Sequence, residues 1–348
     1  MVDAPEIAVI IGAYRRKEYL LRAVRSVRAQ DIPRDRYEVF VTKDFADPVI
    51  DAELAREGIA SHVDADPCIG TWLGRAVRAT HAPLLTFLDD DDEFEPDRLE
   101  RLLAVFRDHP EVGFYRNRVR VIDAEDRPIP LERWRKIESD SAFDTSGPVL
   151  LPPGARSKLV EFAFLTTRST FNSSTMALRR DLFDGPSAEL FARTQLPDLS
   201  LFVAAALSSS ALYFDDRRLT RYRFYGGNVT HRVSWLAESS RCHREAADLA
   251  RSFGQPELAA WLAELAVHYE RMYRAGRVMD QIGAQDSRGT VARLSAEYLR
   301  FLGRHPSERS IRLDVWAAEA YGLAYCVAPA LARRMRTARR SSYLTTTP

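Results

Sequence analysis

Short apolar runs rich in β-branched residues alternate with amphipathic stretches along the first third of the chain, which is the pattern of a parallel sheet covered by helices on both faces. Ile7 to Ile11 reads as a first strand, Glu38 to Thr42 as a second and Leu84 to Leu88 as a third, buried one. Leu20, Val24 and Val27 recur at helical spacing, so the segment from about Lys17 to Ala29 is expected to lie on the sheet as a helix, with Gly70 to Thr80 as another. Pro96 suits the first turn of a helix whose Leu99, Leu102, Leu103 and Phe106 form one face, and the His109-Pro110 pair ends it. From about Asp123 to Lys158 the periodicity breaks down among Pro128, Pro130, Pro148, Pro152 and Pro153, an irregular excursion of the kind that carries binding surfaces or lids. Helical pattern returns at Leu199 to Leu207, strands are expected at Ala211 to Phe214 and Thr220 to Phe224, and after Ser234 almost everything reads as helix. The expectation is an α/β domain over residues 1–233 and a helical C-terminal region over 234–348.

Composition narrows the function classes. With 348 residues, 46% of them hydrophobic, the chain can bury a large core and still carry an appendage. Fifty basic residues against 49 acidic ones leave a net charge of +1, which lacks the basic footprint of a nucleic-acid binder, so no nucleic-acid partner is expected. Cys68, Cys242 and Cys326 form no CxxC pair, so neither a disulfide framework nor a zinc knuckle is expected, and a cytoplasmic setting is the default. The chain runs from Met1 to its first strand without the basic region and long apolar stretch of a signal peptide. Val315 to Ala332 is apolar but interrupted by Glu319 and Pro329, and Arg333, Arg334, Arg336, Arg339 and Arg340 follow. That pattern suits a helix lying on the anionic inner face of a membrane, or one packed on the bundle or in a homo-oligomer.

The chemistry concentrates after the third strand, where Leu88 delivers Asp89-Asp90-Asp91-Asp92. Adjacent carboxylates repel and raise one another's pKa unless a cation or donor compensates. An acidic run can simply solvate a loop and charge a helix start. Its place at the carboxyl end of a strand, where ligands gather in open α/β sheets, favours a divalent cation instead. Hard carboxylate oxygens with no His or Cys alongside point to Mg²⁺ or Mn²⁺ that also coordinates phosphate oxygens.

The opening Ile7-Ala-Val-Ile-Ile-Gly-Ala-Tyr-Arg-Arg with Leu20, Ser26 and Gln30, together with Phe87-Leu88-Asp89-Asp90-Asp91-Asp92, Pro96, Asp97 and Leu99, resembles the inverting family-2 glycosyltransferases of the GT-A fold. The resemblance covers about residues 5 to 232 in dispersed pieces. It implies a GT-A type nucleotide-diphospho-sugar transferase fold, a mostly parallel sheet flanked by helices, that moves a sugar from a nucleotide diphosphate donor to a hydroxyl of a glycan, lipid-linked or small-molecule acceptor. It implies donor-nucleotide roles for Gly12, Ala13, Tyr14, Arg15, Asp44, Arg75, Asp89 and Asp90. Asp91 would be the main metal ligand, with Asp89 and His231 as candidate additional ligands, and Asp198 in Leu196-Pro197-Asp198-Leu199 would be the general base that opens an acceptor-side helix. Asn172-Ser173-Ser174-Thr175-Met176 resembles the family's acceptor-side strand and turn, and Leu219 to Arg223 with Asn228, Thr230 and His231 resembles the segment that closes the catalytic domain, whose arginines would face the diphosphate.

Some positions depart from the family. Gly12-Ala13 stands where Pro-Thr is usual, Lys43-Asp44-Phe45-Ala46 where an acidic-glycine turn is usual, and Gly74 where an asparagine is common, which bears on the choice of base. Two other classes fit less well. A nucleotidyltransferase would carry a glycine-rich, basic phosphate loop, but Gly12-Ala13-Tyr14-Arg15-Arg16 has one glycine. A non-catalytic nucleotide- or glycan-binding GT-A scaffold would account for the altered positions and leave the acidic run and Asp198 without a purpose.

Overall fold

The computed structural model describes residues 4–14, 16–130, 147–153, 172–225 and 233–283, with a few more between 293 and 301. The chain divides into two compact units, one reaching Gly227 and completed by Glu245–Trp261, the other made of Asn228–Arg244 with the chain from Leu262 onward.

The first unit is built on one sheet. Its strands are β1 (Ile7–Ala13), β2 (Tyr37–Lys43), β3 (Ala60–Val63), β4 (Leu84–Asp89), β5 (Glu93–Phe94), β6 (Val112–Ile122), β7 (Val149–Leu151), β8 (Met176–Arg179) and β9 (Ala211–Arg223). They run in the order β3-β2-β1-β4-β8-β6-β9-β5, with β7 paired to β9. The pairs β3–β2, β2–β1 and β1–β4 are parallel, and β8 enters antiparallel to both β4 and β6. The apolar runs of β1 and β4 are explained by this placement, because central strands are covered on both faces and bury their side chains up to the site end, where Gly12 and Asp89 are half-buried.

Helices α1 (Leu20–Arg28), α2 (Pro48–Arg56), α3 (Ile69–Arg78) and α4 (Arg98–Asp108) cover the parallel part. In α1 the buried Leu20, Ala23, Val24 and Val27 form one stripe that joins the core of β1, β2 and β4. Helix α2 starts where Asp47 accepts hydrogen bonds from the Val49 and Ile50 amides and Pro48 takes the first turn. Helices α5 (Pro186–Ala192) and α6 (Pro197–Leu207) follow β8, and α3 meets α5 so closely that a Cβ on Gly70 would lie 1.7 Å from the Phe191 carbonyl oxygen. Only glycine fits there.

Three features were hidden in the sequence pattern. β6 reads as polar, yet Arg116 and Asn117 on it are fully buried. The two strands expected at 211–214 and 220–224 are one, β9, whose interrupting Asp215 is buried and accepts from Arg101 Nε at 2.7 Å and Tyr115 Oη at 3.0 Å. Register shifts between β6 and β9 absorb the interruption. β7 falls inside the irregular excursion.

In the remainder, α7 (Val233–Ser252) and α8 (Pro256–Gly283) bear out the helical C-terminal region. Within the second unit Ser240 Oγ donates to the Ala266 carbonyl at 2.8 Å, and Trp235 and His243 meet the Tyr269 ring with centroids 5.6 and 4.9 Å away. Among the described residues no helix is long and apolar enough to cross a membrane. The apolar, basic stretch from Val315 onward lies outside them, as do Arg15 and His231.

Candidate active site

The parallel strands end on one rim, and most of the expected site residues stand there. Gly12 and Ala13 finish β1, with half-buried Tyr14 one residue on. The Asp90 amide donates to the Gly12 carbonyl at 3.1 Å, and the Asp44 amide to the Ala13 carbonyl at 3.2 Å, so the first loop touches both the acidic turn and the end of β2. Arg75 joins the same rim from α3. Its Nη1 donates to both carboxylate oxygens of Asp64, at 2.6 and 2.7 Å, while the Asp64 amide donates to the Lys43 carbonyl at the end of β2.

Gly12 has a local explanation. A Cβ there would lie 3.1 Å from both the Trp72 ring and the Leu73 side chain, so an indole on α3 fills the space in which a proline ring would sit. Gly74 meets nothing closer than 3.7 Å and is not forced by packing.

The acidic run is a buried turn and not a solvated loop. Asp90, Asp91 and Asp92 are 1%, 5% and 1% exposed. Burial pushes all four carboxyls above the usual carboxylate range, Asp89 to about 6, and mutual repulsion adds to it, chiefly from Asp91 on Asp89 and on Asp92. Opposing this, the Arg16 guanidinium bridges Asp90 and Asp91, with Nε also 3.3 Å from Asp90 Oδ2. Tyr225 Oη, just past β9, donates to Asp91 Oδ2 at 3.2 Å and accepts from Arg16 Nη1 at 3.1 Å.

A short turn at Ser173–Thr175 supports the cluster from the opposite side, entered through Asn172 at φ 61°. Asn172 Nδ2 and Ser174 Oγ both donate to Asp92 Oδ2 at 2.7 Å, and the Arg223 amide donates to Asp92 Oδ1 at 3.0 Å. Ser174 Oγ also accepts the Asp89 amide, and Ser173 Oγ donates to Asp89 Oδ1, each at 3.0 Å. Asp198 stands in the first turn of α6, its Oδ1 accepting the Leu199 amide at 2.9 Å. The Asn172 backbone amide also favours its ionised form. Although half-buried by surface area, its carboxyl is enclosed enough that desolvation, aided by Asp89, pushes it up to about 7.

Carboxylate oxygens of Asp89, Asp91 and Asp92 approach within 4.8 Å of one another. This all-oxygen set suits a hard divalent ion, and the guanidinium on Asp90 and Asp91 marks the place where positive charge is required. Asp92 is committed to its three donors, so Asp91 and Asp89 are the groups with oxygen to offer a metal.

Arg223 reaches this turn in a different capacity from that implied by the resemblance. Its fully buried guanidinium donates to the Asp91 carbonyl and to Glu93 Oε1, each at 2.8 Å, and lies over the Tyr19 ring at 4.5 Å. It holds the turn in shape. Arg221 pairs with Glu93 and Glu95 at 3.4 and 3.0 Å. Sequence reasoning did not single out Asp64, the partner of Arg75, although Asp64-Ala65-Asp66 after a short strand is itself an acidic signal. Tyr225 left no sequence signal, because a tyrosine past a strand has no distinctive pattern.

Residues 69–184 match the family described as glycosyl transferase family 2. Among solved structures, residues 1–349 of TarS from S. aureus, crystallised with UDP-GlcNAc, superpose with a TM-score of 0.57 at 14% identity, covering 85% of this chain and 81% of that one. The mannosyltransferase PcManGT from Pyrobaculum calidifontis, solved with GDP-Man and Mn²⁺, gives 0.50 at 15% identity over 99% and 86%. No curated protein matches the chain by sequence. At these identities the structures establish a shared GT-A fold.

Proposed function

We propose that the chain is a family-2 glycosyltransferase of GT-A fold, a reading supported by the family match over residues 69–184, and that it is a metal-dependent inverting enzyme with Asp198 as its general base. The observation that carries the proposal is the Asn172–Thr175 frame. One short turn hydrogen-bonds the acidic turn through Asp89 and Asp92, and the Asn172 backbone amide that opens it also favours the ionised form of the Asp198 carboxyl, which supports a proton acceptor near the acidic cluster.

In this reading Gly12, Ala13, Tyr14, Asp44 and Arg75, with Arg15, receive the nucleotide, and Asp90 supports the same end of the site. Asp91, with Asp89, would hold Mg²⁺ or Mn²⁺, which when bound supplies positive charge to the leaving diphosphate. Asp198 orients the acceptor hydroxyl and takes its proton as the oxygen attacks the anomeric carbon. A C–O bond forms on one face while the bond to the nucleoside diphosphate breaks on the other, so the configuration inverts. No protein nucleophile is needed. A carboxyl with a pKa near 7 is matched to proton transfer at neutral pH.

A test is to incubate UDP-, GDP-, TDP- and CDP-sugars with the protein in Mn²⁺, Mg²⁺ or EDTA and follow nucleoside diphosphate release, then to read the product's anomeric configuration by NMR. Metal-dependent turnover of one nucleotide class with inversion is expected. A retained configuration, or equal turnover in EDTA, overturns the proposal.

A further inference from the structure

The acidic turn already has a cation. Arg16 approaches from the loop after β1, and its guanidinium spans Asp90 and Asp91 at once. The planar fork with several N–H donors is suited to bridging two carboxylates in this way, and a lysine would reach only as a point charge. The oxygen it holds on Asp91 is Oδ2, which also accepts from Tyr225 Oη at 3.2 Å. Tyr225 is held in turn by an edge-on contact with Tyr19, whose ring centroid lies 5.3 Å away. The loop after the first strand and the residue past the last strand therefore close together on the carboxylate assigned to the metal.

We propose that Arg16 is a placeholder cation: it neutralises the acidic turn in the unliganded enzyme, competes with the divalent ion for Asp91, and leaves when a nucleoside diphosphate arrives to receive the guanidinium. This rests on the metal reading given above. An arginine keeps its proton in proteins, so the guanidinium must be displaced as a cation. Asp91 Oδ2 already carries the Arg16 and Tyr225 donors, and a second positive charge on this carboxylate is repelled by the guanidinium, so the divalent ion and Arg16 compete for it. Metal alone then pays for breaking the bridge, whereas metal with a diphosphate gives the guanidinium a new anionic partner. Binding of the two ligands is coupled, and by linkage each raises the affinity for the other by the same factor.

The test measures Mn²⁺ binding by calorimetry and by loss of the free-ion EPR signal, using the intact chain, Arg16→Met and Arg16→Lys, with thermal unfolding to confirm that each variant is folded. Arg16→Met is expected to bind Mn²⁺ alone about tenfold or more tightly than the unaltered chain, with Arg16→Lys between the two. Added UDP or GDP, whichever the protein binds, is expected to raise Mn²⁺ affinity strongly in the unaltered chain and little in Arg16→Met. Equal or weaker Mn²⁺ binding by Arg16→Met, or undiminished coupling, overturns the placeholder role while leaving the metal reading intact, provided Asp91→Asn abolishes the binding. If neither the unaltered chain nor Arg16→Met binds Mn²⁺ with or without nucleotide, the metal reading fails and the placeholder role fails with it.

Discussion

Replacing Asp198 with asparagine tests proton transfer and buried charge in one variant, because the structure gives the two effects opposite signs. Burial raises the Asp198 carboxyl from the ordinary 3.8 to about 7. The folded chain thus binds this proton more tightly than the unfolded chain, so stability declines as pH rises from about 4 to about 7 and is level above that. Fully ionised, the carboxylate costs the fold on the order of 4 kcal/mol relative to its protonated form. Asparagine resembles the neutral carboxyl and removes that cost, which already includes the help that the Leu199 amide gives the charged form. A gain of about 4 kcal/mol at pH 8 is expected, which raises Tm by roughly 10 °C in a unit of this size. Turnover should fall by about two to four orders of magnitude, with nucleotide binding nearly unchanged. In the unaltered enzyme kcat/KM should decline with unit slope below about pH 7, and the residual activity of Asp198→Asn should lack that limb. Calorimetric unfolding at pH 5 and pH 8 and a pH–rate profile measure all of this. Normal turnover removes Asp198 from the proton-accepting role, and a folded variant that melts lower at pH 8 refutes the buried-charge reasoning.

Asp91→Asn should abolish the dependence of nucleotide affinity on Mn²⁺, so that titrations in EDTA and in Mn²⁺ coincide. Ser174→Ala leaves the half-buried Asp89 amide without the Ser174 hydroxyl and the buried Asp92 carboxyl with one donor fewer, and should lower stability by about 1–3 kcal/mol in urea titration with the denaturant slope unchanged. Gly70→Ala forces a methyl against the Phe191 carbonyl and should cost about 3 kcal/mol or more, read as a lower Tm or loss of soluble protein; unchanged stability would mean that α3 and α5 do not meet as described.

The parallel half of the fold was legible because its strands are buried on both faces and announce themselves as apolar runs, as Ile7 to Ile11 and Leu84 to Leu88 do. The antiparallel half was not. β6 and β9 bury Asn117, Asp215 and Arg223 in hydrogen-bonded networks with Arg116 buried on the same strand as Asn117, and a strand whose interior is charged mimics a surface loop until its partners are known. Helix α2 offers only Ile50 and Leu54 to the core, too few to set a period. The acidic turn and Asp198 could be picked out singly. What joins them, Asn172 and its neighbours, comes from a stretch some eighty positions beyond Asp92, and such a separation leaves no trace in local pattern.

Asn172 also limits how the site can be re-engineered. Its backbone sits at φ 61°, a conformation that glycine adopts freely and alanine avoids, while its amide group must donate to Asp92 and accept from the Ser174 N–H. Glycine would keep the path of the chain and drop both bonds. Aspartate would keep the path and the acceptor and set another negative charge against Asp92. Attempts to widen donor or acceptor choice should therefore randomise the rim around exposed Arg75 and hold position 172 fixed, since a library that varies it discards the support of the acidic turn before selectivity is ever sampled.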